Sequence, residues 1–312
     1  MTPTLSPTVT DGLLGLINTP PLATQSGVGL ITGVTMRAQL FAVPPGTGIV
    51  FFTADGVVFP ARTETVVNTE RGVTLIGLKD GQPTRTTLSI VEHFLSACAM
   101  AGVQDLAVAV MPETPDATML ELPLLDGGAQ AWLTLLSALP VATPPVFNAP
   151  HWTLTQPIAI QLPNAEHGAP ITVTAQPDTH FRLTYLVNFD HPELTQRWAH
   201  WDITTMPLAW VADAQTFGHV RELPQLQAMG LAKGVSFENT LGLTDDGSYT
   251  RPLRRPLEPI YHKMLDFLGD AMLSGVNPLH VGMHVIAMNA GHTSHVAFAK
   301  ALPGALTQPP TR

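Results

Sequence analysis

Three side chains that can bind a metal or move a proton recur at four-residue intervals in the stretch YHKMLDFLGD, residues 261–270: His262, Asp266 and Asp270. Positions i, i+4 and i+8 of an α-helix form one slowly drifting stripe along its surface. His262 and Asp266 can therefore bind a single ion together. The alternative interpretation is that His262 is a hydrogen-bonded core histidine and that the carboxylates cap the helix or pair locally.

An internal repeat supplies a third candidate ligand. Residues 93–104, HFLSACAMAGVQ, align without gaps with residues 266–277, DFLGDAMLSGVN, and share Phe, Leu, Gly and Val at matched positions. Both segments also end a helical pattern at glycine and lead into a strand-like stretch, as expected of a duplication. In duplicated halves His93 and Asp266 would occupy equivalent places and face each other. His93, His262 and Asp266 would then leave one metal position open, which is the pattern of a catalytic zinc.

Candidate acid–base groups flank these ligands. Glu92 directly precedes His93, so its carboxylate can reach a water at the metal and act as general base; a solvated residue at the helix start is the alternative. The segment AGHTSH offers His292 and His295 as proton donors, and His292 follows Ala-Gly at a strand end, where loops commonly present functional groups. Asp270, one turn further along the stripe, can orient His292 and favour its imidazolium form.

The pattern of elements around these residues is α+β. The first 20 residues, rich in Thr and Pro, predict an irregular lead-in, and alternating apolar and polar residues beyond them predict strands joined by turns. Residues 90–102 and the stripe-bearing segment have helical periodicity, and each is followed by an apolar stretch typical of a buried strand. The Pro-rich residues 140–150 favour an extended linker. We therefore expect an N-terminal half at residues 21–143 and a C-terminal half at residues 150–312.

Composition limits the kinds of partner. Of 312 residues, 12% are charged and 45% are hydrophobic, which argues against a disordered chain. The net charge is −9, with 15 Lys and Arg and no basic run, so we expect neither a nucleic-acid partner nor a patch for anionic membranes. A single cysteine, Cys98, allows no internal disulfide and no Cys-based zinc site. A metal would take nitrogen and oxygen ligands, which suit Zn²⁺ and Fe²⁺ alike.

The sequence also bears on location. No apolar run reaches the roughly 18 residues of a membrane span, and the N-terminal MTPTLSPTVT lacks the basic and apolar regions of a signal peptide. We therefore expect a cytoplasmic protein without stable membrane insertion. Low charge with abundant apolar residues fits a passage for an acyl chain and a tight dimer contact equally well, so the oligomeric state stays open.

Six segments, in chain order, resemble those of the UDP-3-O-acyl-N-acetylglucosamine deacetylase family, the zinc amidases of lipid A biosynthesis: IVEHFLSACAMAG, ELPLLDGG, QTFGHVREL, KGVSFEN, HKMLDFLGD and AGH. The resemblance runs from about Gly27 to Ala301. It implies an α+β fold of two duplicated α/β-sandwich halves with the active site between them. It also implies a metal-dependent amide hydrolase that releases acetate from an acylated amino-sugar carried on UDP.

The resemblance assigns a role to each matching residue. By position, the zinc ligands are His93, His262 and Asp266, the general base is Glu92, the general acid is His292 and its orienting partner is Asp270. Thr216 matches a threonine that helps to stabilise the oxyanion, and Lys263 matches a substrate-contacting lysine. Phe189 and Phe217 match aromatic positions that line the sugar and nucleotide region. In the family, the segment around residues 213–240 helps to cradle the acyl chain.

Four positions depart from the family pattern. Ile31 replaces the usual His, Gln215 an Arg, His219 an aromatic residue and Asn289 a lysine. Because Asn offers no charge-assisted contact to a pyrophosphate, these changes weaken the expectation of UDP recognition. Two alternatives follow: a divergent deacetylase of another N-acetyl substrate without UDP recognition, and a metal-binding or regulatory relative without turnover.

Overall fold

The computed structural model describes residues 7–114, 119–143, 150–163 and 170–307. Within this part the chain forms seven α-helices, two large mixed sheets and one two-stranded sheet, which confirms the α+β prediction. The helices are α1 (Pro7–Leu16), α2 (Glu92–Ala101), α3 (Gln130–Ser137), α4 (Ala209–Ala212), α5 (Leu223–Ala228), α6 (Glu258–Met272) and α7 (His292–Ala301).

The first large sheet comes from the N-terminal part of the chain. Its strands are β1 (Ala23–Val28), β2 (Thr35–Phe41), β3 (Ile49–Phe52), β4 (Val58–Pro60), β5 (Val66–Asn68), β6 (Thr74–Lys79), β7 (Gln82–Ser89), β8 (Leu106–Pro112) and β9 (Met119–Glu121). They follow the order β1-β2-β8-β3-β4-β6-β7-β9, with β5 paired to β6.

The remaining strands come from the C-terminal part. They are β10 (Trp152–Leu154), β11 (Ile158–Leu162), β12 (Ile171–Pro177), β13 (Arg182–Val187), β14 (Arg197–Asp202), β15 (Phe217–His219), β16 (Leu241–Leu243), β17 (Val281–Met288) and β18 (Leu306–Thr307). The second large sheet has the order β11-β12-β17-β10-β18, with β13 paired to both β17 and β14, while β15 and β16 form the small sheet.

The two large sheets repeat one topology. In the first, β1 and β2 are antiparallel, and the strand that follows α2, β8, lies antiparallel to β2 and parallel to β3. In the second, β11 and β12 are antiparallel, and the strand that follows α6, β17, lies antiparallel to β12 and parallel to β13. The antiparallel pairs β3–β4 and β13–β14 complete the match. This repetition agrees with the duplicated halves expected from the internal repeat.

The helices α2 and α6 belong to the main core. Every residue of α2 is buried, and the helix ends at Gly102, whose left-handed φ of 70° suits a residue without a Cβ. The main hydrophobic cluster contains side chains from both helices and from both large sheets. Because so many residues are buried in this core, few positions remain for charged side chains, which accounts for the low charged fraction of the sequence.

The N-terminal segment corrects one prediction. Instead of an irregular lead-in, residues 7–16 form α1, and Leu13 packs with Phe41, Val50 and Phe52 of the first sheet. The Thr- and Pro-rich composition hid the helix, although proline is tolerated in a first helical turn. The Pro-rich linker falls largely on residues 144–149, which lie outside the described residues. No helix in the described part of the chain has the length and apolar content needed to cross a bilayer.

Candidate functional site

A close approach of α2 and α6 brings the candidate residues together. Glu92 and His93 form the first turn of α2 and face the part of α6 that carries His262 and Asp266. Between them lies Gly269, where a Cβ would come within 1.9 Å of the Glu92 carbonyl oxygen. The absence of a side chain at this position therefore allows the two backbones to touch.

The three candidate metal ligands converge in a buried cluster. One ligand atom from each of His93, His262 and Asp266 lies within 4.8 Å of the others. The Asp266 Oδ1 is 3.4 Å from the His262 Nε2 and 3.9 Å from the His93 Nε2. The structure thus brings the predicted ligands together, and two imidazoles with one carboxylate are a donor set that suits a divalent cation such as zinc.

Burial and neighbouring charges put these groups in the protonation states that metal binding requires. Burial and the adjacent His262 lower the pKa of His93 to about 3, and burial also lowers the pKa of His262. Although burial by itself raises the pKa of Asp266, Lys263 and His262 hold it well below its usual range. The cluster therefore presents neutral imidazoles and an ionised carboxylate.

Two further contacts orient the cluster. The His262 Nδ1 lies 3.0 Å from the Ala214 carbonyl oxygen, to which it donates as N–H, so the Nε2 keeps its lone pair for a cation. The Lys263 ammonium donates to the Asp266 Oδ2 at 2.6 Å. His262 is thus hydrogen-bonded, as the core-histidine interpretation expects, but its Nε2 also faces two other potential ligands.

Glu92 is buried beside the cluster. Only 2% of the residue is exposed, and its Oε2 accepts a hydrogen bond from the Val73 backbone N–H at 3.2 Å. Burial raises the pKa of Glu92 to about 7, against the opposing effect of the His292 charge. The solvated helix-start interpretation is therefore wrong, and this carboxyl group can exchange a proton near neutral pH.

A chain of four polar groups begins on the opposite side of Asp266. The His292 Nε2 is 3.9 Å from the Asp266 Oδ2, and the His292 Nδ1 is 2.8 Å from the Asp270 Oδ2. The same Asp270 oxygen lies 2.9 Å from the His295 Nδ1, and the His295 Nε2 lies 2.9 Å from the Tyr185 hydroxyl. One carboxylate oxygen of Asp270 therefore contacts both His292 and His295.

The charge on His292 follows from these neighbours. Burial lowers the pKa of His292, but the carboxylates of Asp270 and Asp266 outweigh burial and raise it to about 9. His292 is accordingly an imidazolium at neutral pH. It can donate a proton to a leaving group at the cluster.

The residues carried over for substrate contact lie around His262. The Phe217 ring is 5.9 Å from the His262 ring and 5.2 Å from the Phe189 ring, both edge to face. Thr216 is half-buried; its backbone N–H donates to the Gly127 carbonyl, and its hydroxyl forms none of the hydrogen bonds found among the described residues. Phe217 and Phe189 therefore form an aromatic wall next to the cluster.

The departures from the family pattern have different surroundings. Gln215 is 1% exposed, so its side chain is unable to contact a phosphate, and the backbone N–H of Ile31 is held by a carboxylate oxygen of Glu121 at 2.6 Å. Asn289 has a left-handed φ of 51°, a conformation in which Asn is common. His219 is half-buried at the end of β15.

Sequence reasoning did not predict three residues that form polar contacts near the cluster. Tyr185 bonds His295, and Arg251 pairs with Glu258 on α6. Tyr185 lies on β13 and Arg251 in an irregular segment, so neither has a spacing that relates it to the stripe. Glu258 precedes His262 by four residues on α6, a helical spacing that could have identified it.

A surface cavity of about 560 Å³, lined by Glu193 and residues 247–253, contains none of the cluster side chains.

Comparison with known proteins gives a consistent result. The family described as LpxC, UDP-3-O-acyl N-acetylglycosamine deacetylase, matches residues 21–303. The UDP-3-O-acyl-N-acetylglucosamine deacetylase of Trichormus variabilis is 32% identical over 287 residues, covering 88% of this chain and 93% of the relative. The protein of the same name from Thermosynechococcus vestitus is 34% identical, covering 89% and 90%. That from Helicobacter pylori is 30% identical, covering 80% and 79%.

Proposed function

The chain belongs to the UDP-3-O-acyl-N-acetylglucosamine deacetylase family, and from this premise we propose that its cluster of His93, His262 and Asp266 holds a zinc ion for amide hydrolysis. The substrate is the acetamide of UDP-3-O-acyl-N-acetylglucosamine, a small acylated amino-sugar, and acetate is released in a step of lipid A biosynthesis. A cytoplasmic location is part of the proposal.

A zinc ion held by His93, His262 and Asp266 would supply a Lewis acid and would make a nearby water easier to deprotonate. Glu92 takes a proton from the attacking water, for which its raised pKa suits it. His292, held by Asp270 as an imidazolium, gives a proton to the departing amine. One group thus accepts and the other donates at neutral pH, as amide cleavage requires.

Other residues position the substrate in this proposal. Thr216 donates its hydroxyl to the oxygen that gains charge during attack, a contact worth about 3 kcal/mol in comparable sites. Lys263 contacts the substrate from beside the cluster, where it is already paired with Asp266. Phe189 and Phe217 offer their rings to the sugar and nucleotide, since both belong to the aromatic wall. The segment at 213–240 contacts the acyl chain.

One observation carries this proposal. Two groups with pKa values of about 7 and about 9 lie next to a buried donor set for a divalent cation. Titratable groups with shifted pKa values that lie beside clustered metal ligands are typical of a catalytic centre. A site that only bound a metal would have no need of a base and an acid beside its ligands.

The test is hydrolysis by purified protein. Zinc-loaded protein is given UDP-3-O-acyl-N-acetylglucosamine, and free amine and acetate are measured together. Glu92→Gln is expected to lower kcat by about 10²- to 10⁴-fold while zinc binding is retained, because only the base is lost. Glu113→Gln, which changes an exposed glutamate, serves as the matched control and retains wild-type activity.

Three outcomes contradict parts of the proposal. Turnover of simple N-acetyl sugars without turnover of the UDP substrate would favour a different acetamide. One equivalent of bound metal without hydrolysis of any acetamide would favour a non-catalytic relative. Equal activity of zinc-loaded and iron-loaded protein would remove the preference for zinc.

A further inference from the structure

A fully bonded polar node lies directly behind the metal cluster. It consists of the side chains of Gln215, Arg251 and Glu258, of which Gln215 is 1% and Glu258 0% exposed. Arg251 uses all five of its N–H groups: it donates to the Gln215 Oε1 from Nε and Nη2, to Glu258 from Nη1 and Nη2, and to the carbonyl of Pro252 from Nη1. The guanidinium therefore has no free donor for a ligand.

The two partners of Arg251 are saturated as well. The Gln215 Nε2 donates to the carbonyl oxygens of Asp126 at 2.8 Å and Glu238 at 2.6 Å. Glu258 accepts two further hydrogen bonds, from the backbone N–H of Gln215 at 3.2 Å and from that of Arg254 at 2.8 Å. A buried network in which every member is satisfied fixes a single arrangement of the segments that it joins. The node is thus built to hold backbone and not to bind substrate.

Two of the segments joined by this node meet at the metal ligand His262. Gln215 directly follows Ala214, whose carbonyl accepts the hydrogen bond from the His262 Nδ1 at 3.0 Å. Glu258 lies four residues before His262 on α6. The Gln215 N–H to Glu258 bond therefore clamps the carbonyl to the helix that carries the imidazole. Loss of the clamp would remove the one direct hydrogen bond between Gln215 and Glu258, so the position of the carbonyl relative to the ring would be less closely fixed.

We propose that Arg251 is a positioning residue for His262, which acts through Gln215 and Glu258 to keep the imidazole in the tautomer and orientation that bind metal. This inference rests on the proposed function, because it takes His262 as a ligand. Arg251 suits the role because one planar fork bridges an amide oxygen and both oxygens of a carboxylate. A lysine has three donors around a single nitrogen and is unable to span the same acceptors.

The experiment measures metal affinity in the absence of substrate. Metal-free wild type, Arg251→Met and Arg251→Lys compete for Zn²⁺ with a chromophoric chelator, and the visible spectrum of the Co²⁺-loaded proteins reports ligand geometry. We expect zinc affinity about tenfold weaker in Arg251→Met and an intermediate loss in Arg251→Lys, since partners behind metal ligands affect affinity on this scale. The Co²⁺ spectrum should change in the same order.

Arg182→Met is the matched control. It also removes an arginine–carboxylate pair, with Asp178, but Arg182 lies on β13 of the second sheet and outside the node. Its zinc affinity and Co²⁺ spectrum should equal those of wild type. Far-UV circular dichroism shows whether each variant is folded; if Arg251→Met is unfolded, Arg251→Lys, which retains a positive charge beside Glu258, decides the test.

The outcomes separate this inference from the proposed function. Folded Arg251 variants with wild-type zinc affinity and spectrum would overturn the positioning role and leave the proposed function intact. An equal loss in Arg182→Met would overturn it too, because the effect would then be general. If wild type itself binds no metal, the proposed function fails first, and with it the premise of the inference.

Discussion

Glu92 and His292 have pKa values displaced upward for opposite physical reasons. Burial raises the pKa of Glu92 because it penalises the charged carboxylate, whereas Asp270 and Asp266 raise that of His292 because they stabilise the imidazolium. In the proposed mechanism Glu92 must lack its proton to act as the base, and His292 must carry its proton to act as the acid. The two conditions are met together only between the two pKa values.

The pH dependence of hydrolysis follows from these values. Without a cation Glu92 ionises at about pH 7 and His292 loses its proton at about pH 9, so the rate should rise with pH on an acidic limb set by Glu92 and fall on a basic limb set by His292. A bound cation moves both limbs to lower pH, because its positive charge opposes protonation. Values of kcat/KM from about pH 5 to about pH 10 check this bell shape. Glu92→Gln should lose the acidic limb, so a variant that keeps it would show that another group titrates.

His295 should affect the rate of hydrolysis, although it is linked by hydrogen bonds to the proposed acid His292 only through Asp270. It is 0% exposed and bonds the same Asp270 oxygen that holds His292, so its loss removes one of the two imidazole contacts that fix this carboxylate. We expect His295→Leu to lower kcat about tenfold with KM unchanged. His295→Asn, which keeps a donor toward Asp270, should recover part of the rate. Steady-state kinetics of both variants measure this, and wild-type kcat in His295→Leu would contradict it.

At this scale the sequence predicted most of the residues that cluster in the candidate site, because local spacing carries the information. His262, Asp266 and Asp270 repeat at the helical period, and the internal repeat pointed to His93, which the structure places beside Asp266. Tyr185 comes from a strand more than a hundred residues from its partner His295, so only the folded chain shows the pair. Contacts between distant segments have no periodicity to read.

At the scale of elements, the packing of α2 on α6 depends on one glycine. Glycine inside a helix usually costs about 1 kcal/mol relative to alanine, so Gly269 is unfavourable for α6 taken alone. The Glu92 carbonyl occupies the space where a Cβ would lie, at 1.9 Å. The helix interface therefore outweighs the local preference, and Gly269 sets the distance between the two ligand-bearing helices.

Gly269→Ala should push α2 and α6 apart. We expect the free energy of unfolding to fall by about 1–3 kcal/mol, the usual cost of overpacking a core, despite the better helix propensity of alanine. Zinc affinity should fall with it, because His93 moves away from Asp266. Denaturant unfolding and chelator competition measure the two effects. Gly304→Ala, where an added Cβ meets no atom within 4 Å, is the control and should change neither.

The elements themselves were predicted unevenly from the sequence. Helical periodicity and terminal glycines located α2 and α6, since both helices have a strong apolar pattern. The helix α1 was missed because it begins inside a Thr- and Pro-rich segment and because its stability comes from packing on the first sheet, through Leu13. Tertiary packing thus overrides a poor local signal there.

At the scale of the whole molecule, the cluster joins two parts of the chain that each build a separate large sheet. His93 belongs to the part that forms the first sheet, and His262 and Asp266 belong to the part that forms the second. A cation bound by all three would hold these parts together. Because an unfolded chain does not present the three ligands at one point, binding free energy adds to folding free energy.

Metal should therefore stabilise the whole fold. With free Zn²⁺ at about 100 times its Kd, the free energy of unfolding should rise by about 2.7 kcal/mol over the metal-free protein. Thermal and denaturant unfolding with zinc and with a chelator measure the difference. His93→Ala, which keeps the two ligands on α6 but removes the one on α2, should lose most of the gain. His284→Ala, which removes a histidine bonded to Thr184 on the second sheet, should keep it. An equal gain in His93→Ala would mean that the stabilising metal does not need His93 and does not connect the two parts through it.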